Sequence, residues 1–241
     1  MKRRLDVELN ARGLVSSRSQ AESWIKLGKV MVDGKIVTKS GHFVTDATQI
    51  KLMATEQYVS RAGLKLASVA GLLKLQFTDK IILDVGSSTG GFTDYALQHG
   101  AKKVYAVDVG TEQLHPSLRR NEKIELHEKT DIRDFTLPPE DRPDITVIDV
   151  SFISLREILP HIAVNLSAKH TQIAAMVKPQ FEAGRHQTNK GIIKNDGVRR
   201  QILKDFETWA KEHFIIVDKR DSEVAGSKGN RERFYLLQKA R

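Results

Sequence analysis

From residue 81 onward, short apolar runs alternate with longer amphipathic segments, and this alternation predicts the fold class. Apolar-rich runs, typical of strands in a parallel sheet, occupy residues 81–85, 103–107, 124–127, 144–149 and 172–177. Helical periodicity fills most of the intervals between them. Two more strands, joined as a hairpin, are predicted at 214–219 and 232–238. The pattern predicts an α/β, Rossmann-like domain with a mostly parallel, seven-stranded sheet.

The first sixty residues follow a different pattern, in which two short helical segments precede a hairpin. Ser17 and Gln20 have the spacing of a capping box at the start of the second helix. Asp33 and Gly34 form the dipeptide that is the strongest short-range hairpin signal. We therefore predict a small α+β module at 1–54, a linker at 55–60 and the α/β domain at 61–241.

The charge is unevenly distributed along the chain, whose net charge is +9. Residues 1–60 contain ten basic and six acidic residues, and residues 178–204 contain seven basic and two acidic residues. Residues 81–177, by contrast, contain ten basic and fourteen acidic residues. This distribution predicts a polyanionic partner held on both sides of a small-molecule site; the alternative is a generally basic surface. The basic residues expected to face such a partner are Lys2, Arg4, Arg18, Lys26, Lys29 and Arg61.

Composition excludes several classes of protein. The absence of cysteine excludes disulfides, thiolate catalysis and cysteine-bound zinc. The eight histidines include no pair at metal-ligand spacing, so no metal is expected. The N-terminus lacks the apolar core of a signal peptide, and no apolar run approaches the length that crosses a bilayer. A cytoplasmic protein with no membrane partner is expected.

The apolar run 81–85 leads into a glycine-rich turn that predicts a nucleoside-cofactor site. Glycine is expected there because a ligand must lie against the backbone, although an ordinary α/β turn is the alternative. The spacing of Gly86, Gly90 and Gly91 differs from the dinucleotide pattern. The preceding Asp84 could receive a cationic amino-acid tail, which favours S-adenosylmethionine, and Asp108 could accept hydrogen bonds from ribose hydroxyls. The predicted cofactor contacts are Asp84, Gly86, Ser88, Gly90, Gly91, Phe92, Asp108, Val109, Asp131, Ile132 and Asp149.

Asp149 and Lys178 each follow a predicted strand. Because the carboxyl ends of parallel strands share the edge where ligands bind, these residues are expected to face each other beside the cofactor. A sugar hydroxyl needs its proton removed or its alkoxide stabilised, and a lysine can do either; the alternative for Lys178 is a surface lysine. Lys65 lies at the edge of a helical apolar face, where it would snorkel to solvent or reach into a cleft.

Two motifs in the first module, Arg18-Ser-Gln-Ala and Gly28-Lys-Val-Met-Val-Asp-Gly, resemble the S4 RNA-binding domain. Together with Ser60-Arg-Ala-Gly-Leu-Lys-Leu, Asp149-Val-Ser-Phe and Lys178-Pro-Gln-Phe-Glu, they resemble the TlyA or "haemolysin A" family. The methyltransferase domain of that family is similar to the FtsJ/RrmJ RNA methyltransferases. The resemblance implies S-adenosylmethionine-dependent 2′-O-methylation of ribosomal RNA or ribosomal subunits, directed to cytidine and without a metal.

The resemblance also implies a Lys-Asp-Lys-Glu catalytic tetrad. Its members fall on Lys65, Asp149, Lys178 and Glu232, of which Lys65 and Glu232 are supplied by the resemblance alone. Glu232 follows from Gly229-Asn-Arg-Glu, but Arg233 replaces the family's aromatic residue, which leaves Glu223 as a competing candidate.

Two other functions remain open at this point. A pore-forming haemolysin would need a secretion signal or a spanning segment, and neither is predicted. A non-catalytic RNA-binding ribosome-assembly factor would use S-adenosylmethionine only as a structural ligand. The sequence identifies neither the target nucleotide, nor the ribosomal subunit, nor the oligomeric state.

Overall fold

The computed structural model describes residues 2–15, 17–53, 58–183, 191–193, 195–226 and 229–240, apart from the side chain of Ser19. Residues 55–57 of the predicted linker lie outside these ranges. The first part of the chain contains β1 (Arg3–Arg4), α1 (Leu5–Ala11), α2 (Arg18–Lys26), β2 (Val30–Val32), β3 (Lys35–Ile36), β4 (Phe43–Val44) and β5 (Ile50–Leu52).

This first part contains the predicted helix pair and hairpin. Ser17 caps α2 by accepting a hydrogen bond from the Gln20 N–H at 3.2 Å. Asp33 and Gly34 both have positive φ, which is the conformation of a type I′ turn. β2 pairs with β3 on one side and with β5 on the other, both antiparallel. The two helices and this small sheet form the predicted α+β module.

The second part alternates strands and helices. Its elements are α3 (Arg61–Ala70), β6 (Ile81–Val85), α4 (Gly91–Gln98), β7 (Lys103–Val107), β8 (Ile124–His127), β9 (Ile145–Ile148), α5 (Leu155–His161), β10 (Gln172–Val177), α6 (Pro179–Glu182), α7 (Asp196–His213), β11 (Phe214–Asp221) and β12 (Arg233–Lys239). A π-helical turn, Ile162–Leu166, extends α5.

The strands of the second part form one sheet in the order β11-β12-β10-β9-β6-β7-β8. Pairing is parallel except along β12, which runs antiparallel to both β10 and β11. The strand order reverses at β6, because the chain first adds β7 and β8 on one side and then β9 and β10 on the other. Ligands of open α/β sheets bind at the carboxyl ends of strands beside such a reversal. The predicted fold class is confirmed.

The two parts of the chain share one apolar cluster. It extends from Trp24 in α2 through Tyr58 to Tyr95 in α4 and Phe234 in β12. Hydrogen bonds reinforce the junction: the Gln20 side-chain amide donates to the Tyr58 carbonyl at 2.9 Å, and the Val59 N–H donates to Asp94 at 2.7 Å. The segment just before the helix that carries Lys65 is therefore tied both to α2 and to α4.

Candidate active site

Asp149 and Lys178 meet where neighbouring strands end. Asp149 follows β9 and Lys178 follows β10, and the parallel register of these strands places both residues at the same edge. Lys178 Nζ lies 2.5 Å from Asp149 Oδ1 and donates to Ser151 Oγ at 2.8 Å. Only about a tenth of either charged side chain is exposed, 10% for Lys178 and 14% for Asp149. The juxtaposition predicted from the strand ends is present, and Ser151 is an additional partner.

A second ion pair joins Lys65 of α3 to Glu232, the residue before β12. Lys65 Nζ lies 2.6 Å from Glu232 Oε2, and both side chains are buried. Burial raises the pKa of Glu232, against the opposing effect of Lys65. Asp149 raises that pKa further and Lys178 lowers it, so the two ion pairs lie within electrostatic reach of each other. Lys65 thus reaches into a cleft instead of snorkelling to solvent.

Lys65, Glu232 and Lys178 line one cavity of about 300 Å³, which we call the tetrad pocket. Asp149, the partner of Lys178, lines the neighbouring cavity. Its walls include Arg61, Lys65, Ser151, Phe152, Lys178, Gln180, Phe181, Gly191, Gly226, Asn230 and Glu232. Glu223, the competing candidate, is exposed and does not line this pocket. The pocket therefore groups Glu232 with Lys65 and Lys178, and Asp149 is joined to them through its ion pair with Lys178.

A larger cavity of about 360 Å³ lies beside the tetrad pocket, and we call it the strand-end cavity. Ser151 and Phe152 line both cavities. The predicted cofactor contacts on its walls are Gly86, Ser88, Asp108, Val109, Asp131, Ile132 and Asp149. A small pocket of about 70 Å³ adds Asp84 and Phe92 and shares Gly86, Ser88 and Asp149 with the larger cavity. Gly90 and Gly91 line neither of them.

Asp84 is a fully buried carboxylate with one unsatisfied oxygen. Its Oδ2 accepts a hydrogen bond from Thr93 Oγ1 at 2.6 Å, whereas its Oδ1 has no hydrogen-bond partner among the residues that the structure describes. Burial raises the pKa of Asp84 to about 7, although the Thr93 bond opposes this shift. An orphaned buried acceptor beside a small pocket fits a cationic ligand group, and the α-ammonium of S-adenosylmethionine is such a group.

Asp108 holds the other end of the predicted cofactor site. Its two carboxylate oxygens accept backbone hydrogen bonds, from Ser88 N–H at 2.8 Å and from Gly110 N–H at 2.7 Å. Each oxygen keeps a second lone pair, which can accept a hydrogen bond from a ribose hydroxyl. The residues present therefore fit the nucleoside end of S-adenosylmethionine as well as its amino-acid end.

The glycines of the turn are explained by contacts within the chain. Gly86 has φ +79°, and a Cβ there would lie 2.8 Å from the Asp149 carbonyl oxygen. At Gly91 a Cβ would overlap Ser60 Oγ and lie 2.7 Å from the backbone nitrogen of Gly63. Gly91 thus allows α4 to approach the start of α3, which carries Lys65. We expected close approach of a ligand to be the reason for these glycines. Neighbouring segments of the chain, however, already occupy the positions that Cβ atoms would take.

Sequence reasoning missed Ser151 and Phe152 as site residues. Phe152 has φ +68° and is 92% exposed, and its ring centroid lies 5.2 Å from that of Phe181. Positive φ is a strained conformation for a bulky side chain, and such strain clusters at functional sites. The exposed ring offers a surface on which a base could stack. The available signal was the position of Ser151 and Phe152, two and three residues after the strand-end acid Asp149.

The predicted RNA contacts differ in their surroundings. Lys2, Lys26 and Lys29 are exposed, and Arg61 lines the tetrad pocket. Arg4 and Arg18 are about half exposed, and both form ion pairs with the buried Asp6. Among the residues that the structure describes, no three His, Asp or Glu side chains are grouped as a metal site. No helix in the described ranges combines the length and apolarity needed to cross a membrane.

Replacing Asp84 with asparagine is expected to stabilise the ligand-free protein and to weaken S-adenosylmethionine binding. The pKa of Asp84 is raised from 3.8 to about 7 on folding, so the folded state binds more protons between those values. The contribution of Asp84 to the free energy of unfolding is therefore fully present below pH 3.8, and it is lost as the pH rises to about 7 and the buried carboxyl group ionises. Asparagine keeps an acceptor for Thr93 without the charge. Thermal unfolding should show a larger stabilisation of Asp84→Asn at pH 8 than at pH 5.

The matched control for this prediction is Asp94→Asn, which changes a nearby acid whose oxygens accept hydrogen bonds from Val59 N–H and from the Gln98 side chain. Because Asp94 lines neither the strand-end cavity nor the small pocket, this variant should leave the affinity for S-adenosylmethionine unchanged. If Asp84→Asn binds S-adenosylmethionine as tightly as the wild type by calorimetry, the carboxylate does not receive the ammonium.

Comparison with known proteins gives two family matches and several relatives. The FtsJ-like methyltransferase model matches residues 58–239, and the S4 domain model matches residues 3–50. A Campylobacter jejuni protein named 23S rRNA (cytidine-2′-O)-methyltransferase TlyA is 42% identical over 80% of this chain and 75% of its own length. A Mycobacterium tuberculosis protein named 16S/23S rRNA (cytidine-2′-O)-methyltransferase TlyA is 36% identical over 97% of this chain and 89% of its own. A solved structure from Streptococcus thermophilus, described as a proposed hemolysin, has a TM-score of 0.73 and 39% identity, and the match covers 99% of this chain and 89% of that one.

Proposed function

The chain belongs to the FtsJ-like methyltransferase family and carries an S4 domain, and from that premise we propose that it methylates the ribose 2′-hydroxyl of a cytidine in ribosomal RNA. The methyl donor is S-adenosylmethionine. The nucleic acid and the nucleotide are proposed from the names of the Campylobacter and Mycobacterium relatives. We further propose that residues 1–54 bind RNA and that residues 61–241 carry the chemistry.

One observation carries the proposal. Lys178, Lys65 and Glu232 line the tetrad pocket, whereas Asp149, the ion-pair partner of Lys178, lines the strand-end cavity. The two cavities share the wall formed by Ser151 and Phe152. A ribose in the tetrad pocket and a nucleoside cofactor in the strand-end cavity would therefore meet at that wall. An arrangement of this kind supplies orientation, which is a large part of catalysis when one reactant is already activated.

In the proposed reaction, Lys178 stabilises the negative charge that develops on the 2′-oxygen. Asp149 and Ser151 hold two of the positions around its ammonium nitrogen, and a third remains for the hydroxyl. A preorganised cation in a site with little water stabilises a developing negative charge far more strongly than a cation in bulk solvent does. Bound S-adenosylmethionine would supply an electrophilic methyl group and leave as S-adenosylhomocysteine when its sulfur–methyl bond breaks, and the proton of the 2′-hydroxyl would be released to solvent. The step uses ammonium groups for charge stabilisation and requires no metal.

Lys65 and Glu232 have a positioning role in this proposal. Lys65 is a donor and Glu232 an acceptor, and both line the pocket where the ribose would lie. Held at 2.6 Å from each other, they present a fixed donor–acceptor pair to neighbouring ribose oxygens. Phe152, at the shared wall, would stack on the base.

The experiment that tests the proposal is methyl transfer to defined ribosomal substrates. The purified protein would be incubated with methyl-labelled S-adenosylmethionine and with each ribosomal subunit, intact or as naked rRNA. We expect label in RNA as an alkali-resistant 2′-O-methylcytidine linkage, and mapping would identify the nucleotide and subunit. Label in a base or in ribosomal protein would contradict the proposal, as would no transfer to any substrate. Release of dye from sealed vesicles would instead support the haemolysin alternative.

A further inference from the structure

Three charged side chains of the S4 domain form a cluster that the catalytic proposal does not use. Asp6, in the first turn of α1, has a side chain that is 0% exposed. Its Oδ1 accepts a hydrogen bond from Arg4 Nε at 2.9 Å, and its Oδ2 accepts from Arg4 Nη2 at 3.0 Å and from Arg18 Nε at 2.7 Å. One buried carboxylate thus joins arginines that are 14 residues apart in sequence.

The two arginines remain available to a further acceptor. Their side chains are 44% and 53% exposed, and the bonds to Asp6 occupy both Nε atoms and only one terminal nitrogen, Nη2 of Arg4. A free arginine side chain loses about 2 kcal/mol of rotamer entropy when it is fixed. Asp6 fixes both guanidinium groups before any ligand arrives, which lowers the entropic cost of binding.

Asp6 is ionised near neutral pH. Burial would raise the pKa of Asp6, but the hydrogen bonds from Arg4 and Arg18 outweigh burial and bring the pKa to about 2. With Asp6 ionised, the three side chains carry one net positive charge. Glu22 is a second acid in contact with Arg18, but it is 3.8 Å away and one-third exposed.

We propose that Asp6 is a positioning residue that holds Arg4 and Arg18 together as one phosphate-binding site for the RNA backbone. The inference rests on the proposed function in one respect, namely that the ligand is RNA. Arginine is suited to this role because its planar donor array matches phosphate oxygens. Glu22, by contrast, lies where it would compete with a phosphate for Arg18.

The proposal predicts opposite effects for two substitutions that remove the same charge. Counterion release alone predicts that losing an acid strengthens binding of a polyanion. We expect Asp6→Asn to weaken rRNA binding about tenfold at fixed salt and to make the salt dependence of binding shallower, because phosphate contacts are lost. Glu22→Gln, the matched control, should bind rRNA at least as tightly as the wild type. Fluorescence anisotropy with labelled rRNA fragments over a salt series measures both effects.

Four further measurements separate positioning from folding and from catalysis. Thermal unfolding and S-adenosylmethionine affinity check that each variant is folded. If Asp6→Asn does not fold, a cycle of Arg4→Ala, Arg18→Ala and the double variant replaces it: coupled losses of affinity support one shared site, and additive losses overturn it. Wild-type methyl transfer tests the proposed function separately, since the binding comparison does not depend on turnover. Folded Asp6→Asn that binds rRNA as tightly as the wild type, or more tightly, would overturn the proposal.

Discussion

Replacing Lys178 with alanine is expected to lower kcat for rRNA methylation by about a thousandfold, while the affinity for S-adenosylmethionine stays within about twofold. The physical reason is that Lys178 lines the tetrad pocket and not the strand-end cavity. Its charge matters most when the 2′-oxygen becomes negative, so its loss falls on the transition state and not on cofactor binding. Steady-state methylation at saturating RNA and cofactor measures kcat, single-turnover methylation with enzyme in excess measures the methyl-transfer step alone, and calorimetry measures the affinity.

Lys178→Arg is expected to restore little of the activity. The ammonium nitrogen lies between Asp149 Oδ1 at 2.5 Å and Ser151 Oγ at 2.8 Å, and a planar guanidinium is too large to replace it there. The matched control is Lys80→Ala, because Lys80 also pairs with a strand-flanking acid, Asp144, at 3.0 Å, but at the amino ends of β6 and β9. That variant should keep normal kcat. Rapid single-turnover methylation by Lys178→Ala would leave Lys178 as a structural lysine.

The Asp149–Lys178 pair shows how far the sequence alone can specify a site. The two residues are 29 positions apart, yet each directly follows an apolar run. Parallel strands have a fixed direction, so the ends of such runs must meet at one edge of the sheet. No side-chain detail was needed for this prediction. Ser151 escaped it because a serine in a loop carries no periodic signal.

Lys65 and Glu232 could not be predicted from the pattern of the chain. They are 167 positions apart. β12 inserts antiparallel between β10 and β11, which places the residue before β12 beside the carboxyl end of β10, where Lys65 of α3 reaches it. Lys65 occupies an ordinary boundary position of an amphipathic helix, where snorkelling is the usual outcome. Only the tertiary arrangement decides that its ammonium group turns inward. The resemblance to a known family supplied these two residues where periodicity could not.

Asp6 illustrates a different limit. The sequence predicted that Arg4 and Arg18 face outward, and both are partly exposed. An acid in the first turn of a helix is normally explained by the helix dipole, so nothing in the local pattern indicated that Asp6 is buried beneath two arginines. Which charged side chains are paired depends on contacts between helices, and helix periodicity does not determine those contacts.

Replacing Glu232 with glutamine is expected to lower kcat about a hundredfold without changing the affinity for S-adenosylmethionine. The substitution keeps the shape of the side chain but removes the charge that faces Lys65 at 2.6 Å. It should also destabilise the protein by about 3 kcal/mol, because an ammonium group is left buried without a counter-charge. Glu223→Gln is the matched control: Glu223 is exposed, so its variant should resemble the wild type in both kcat and thermal unfolding.

A double variant separates the catalytic role of the pair from its structural role. Lys65→Met with Glu232→Gln removes both charges, and replacing a buried ion pair by neutral groups is often close to neutral for stability. We therefore expect thermal unfolding of the double variant to return toward the wild type, while single-turnover methylation stays as low as in Glu232→Gln. Recovery of methylation together with stability would mean that Lys65 and Glu232 only support the fold, and that the ribose is positioned by other residues of the tetrad pocket.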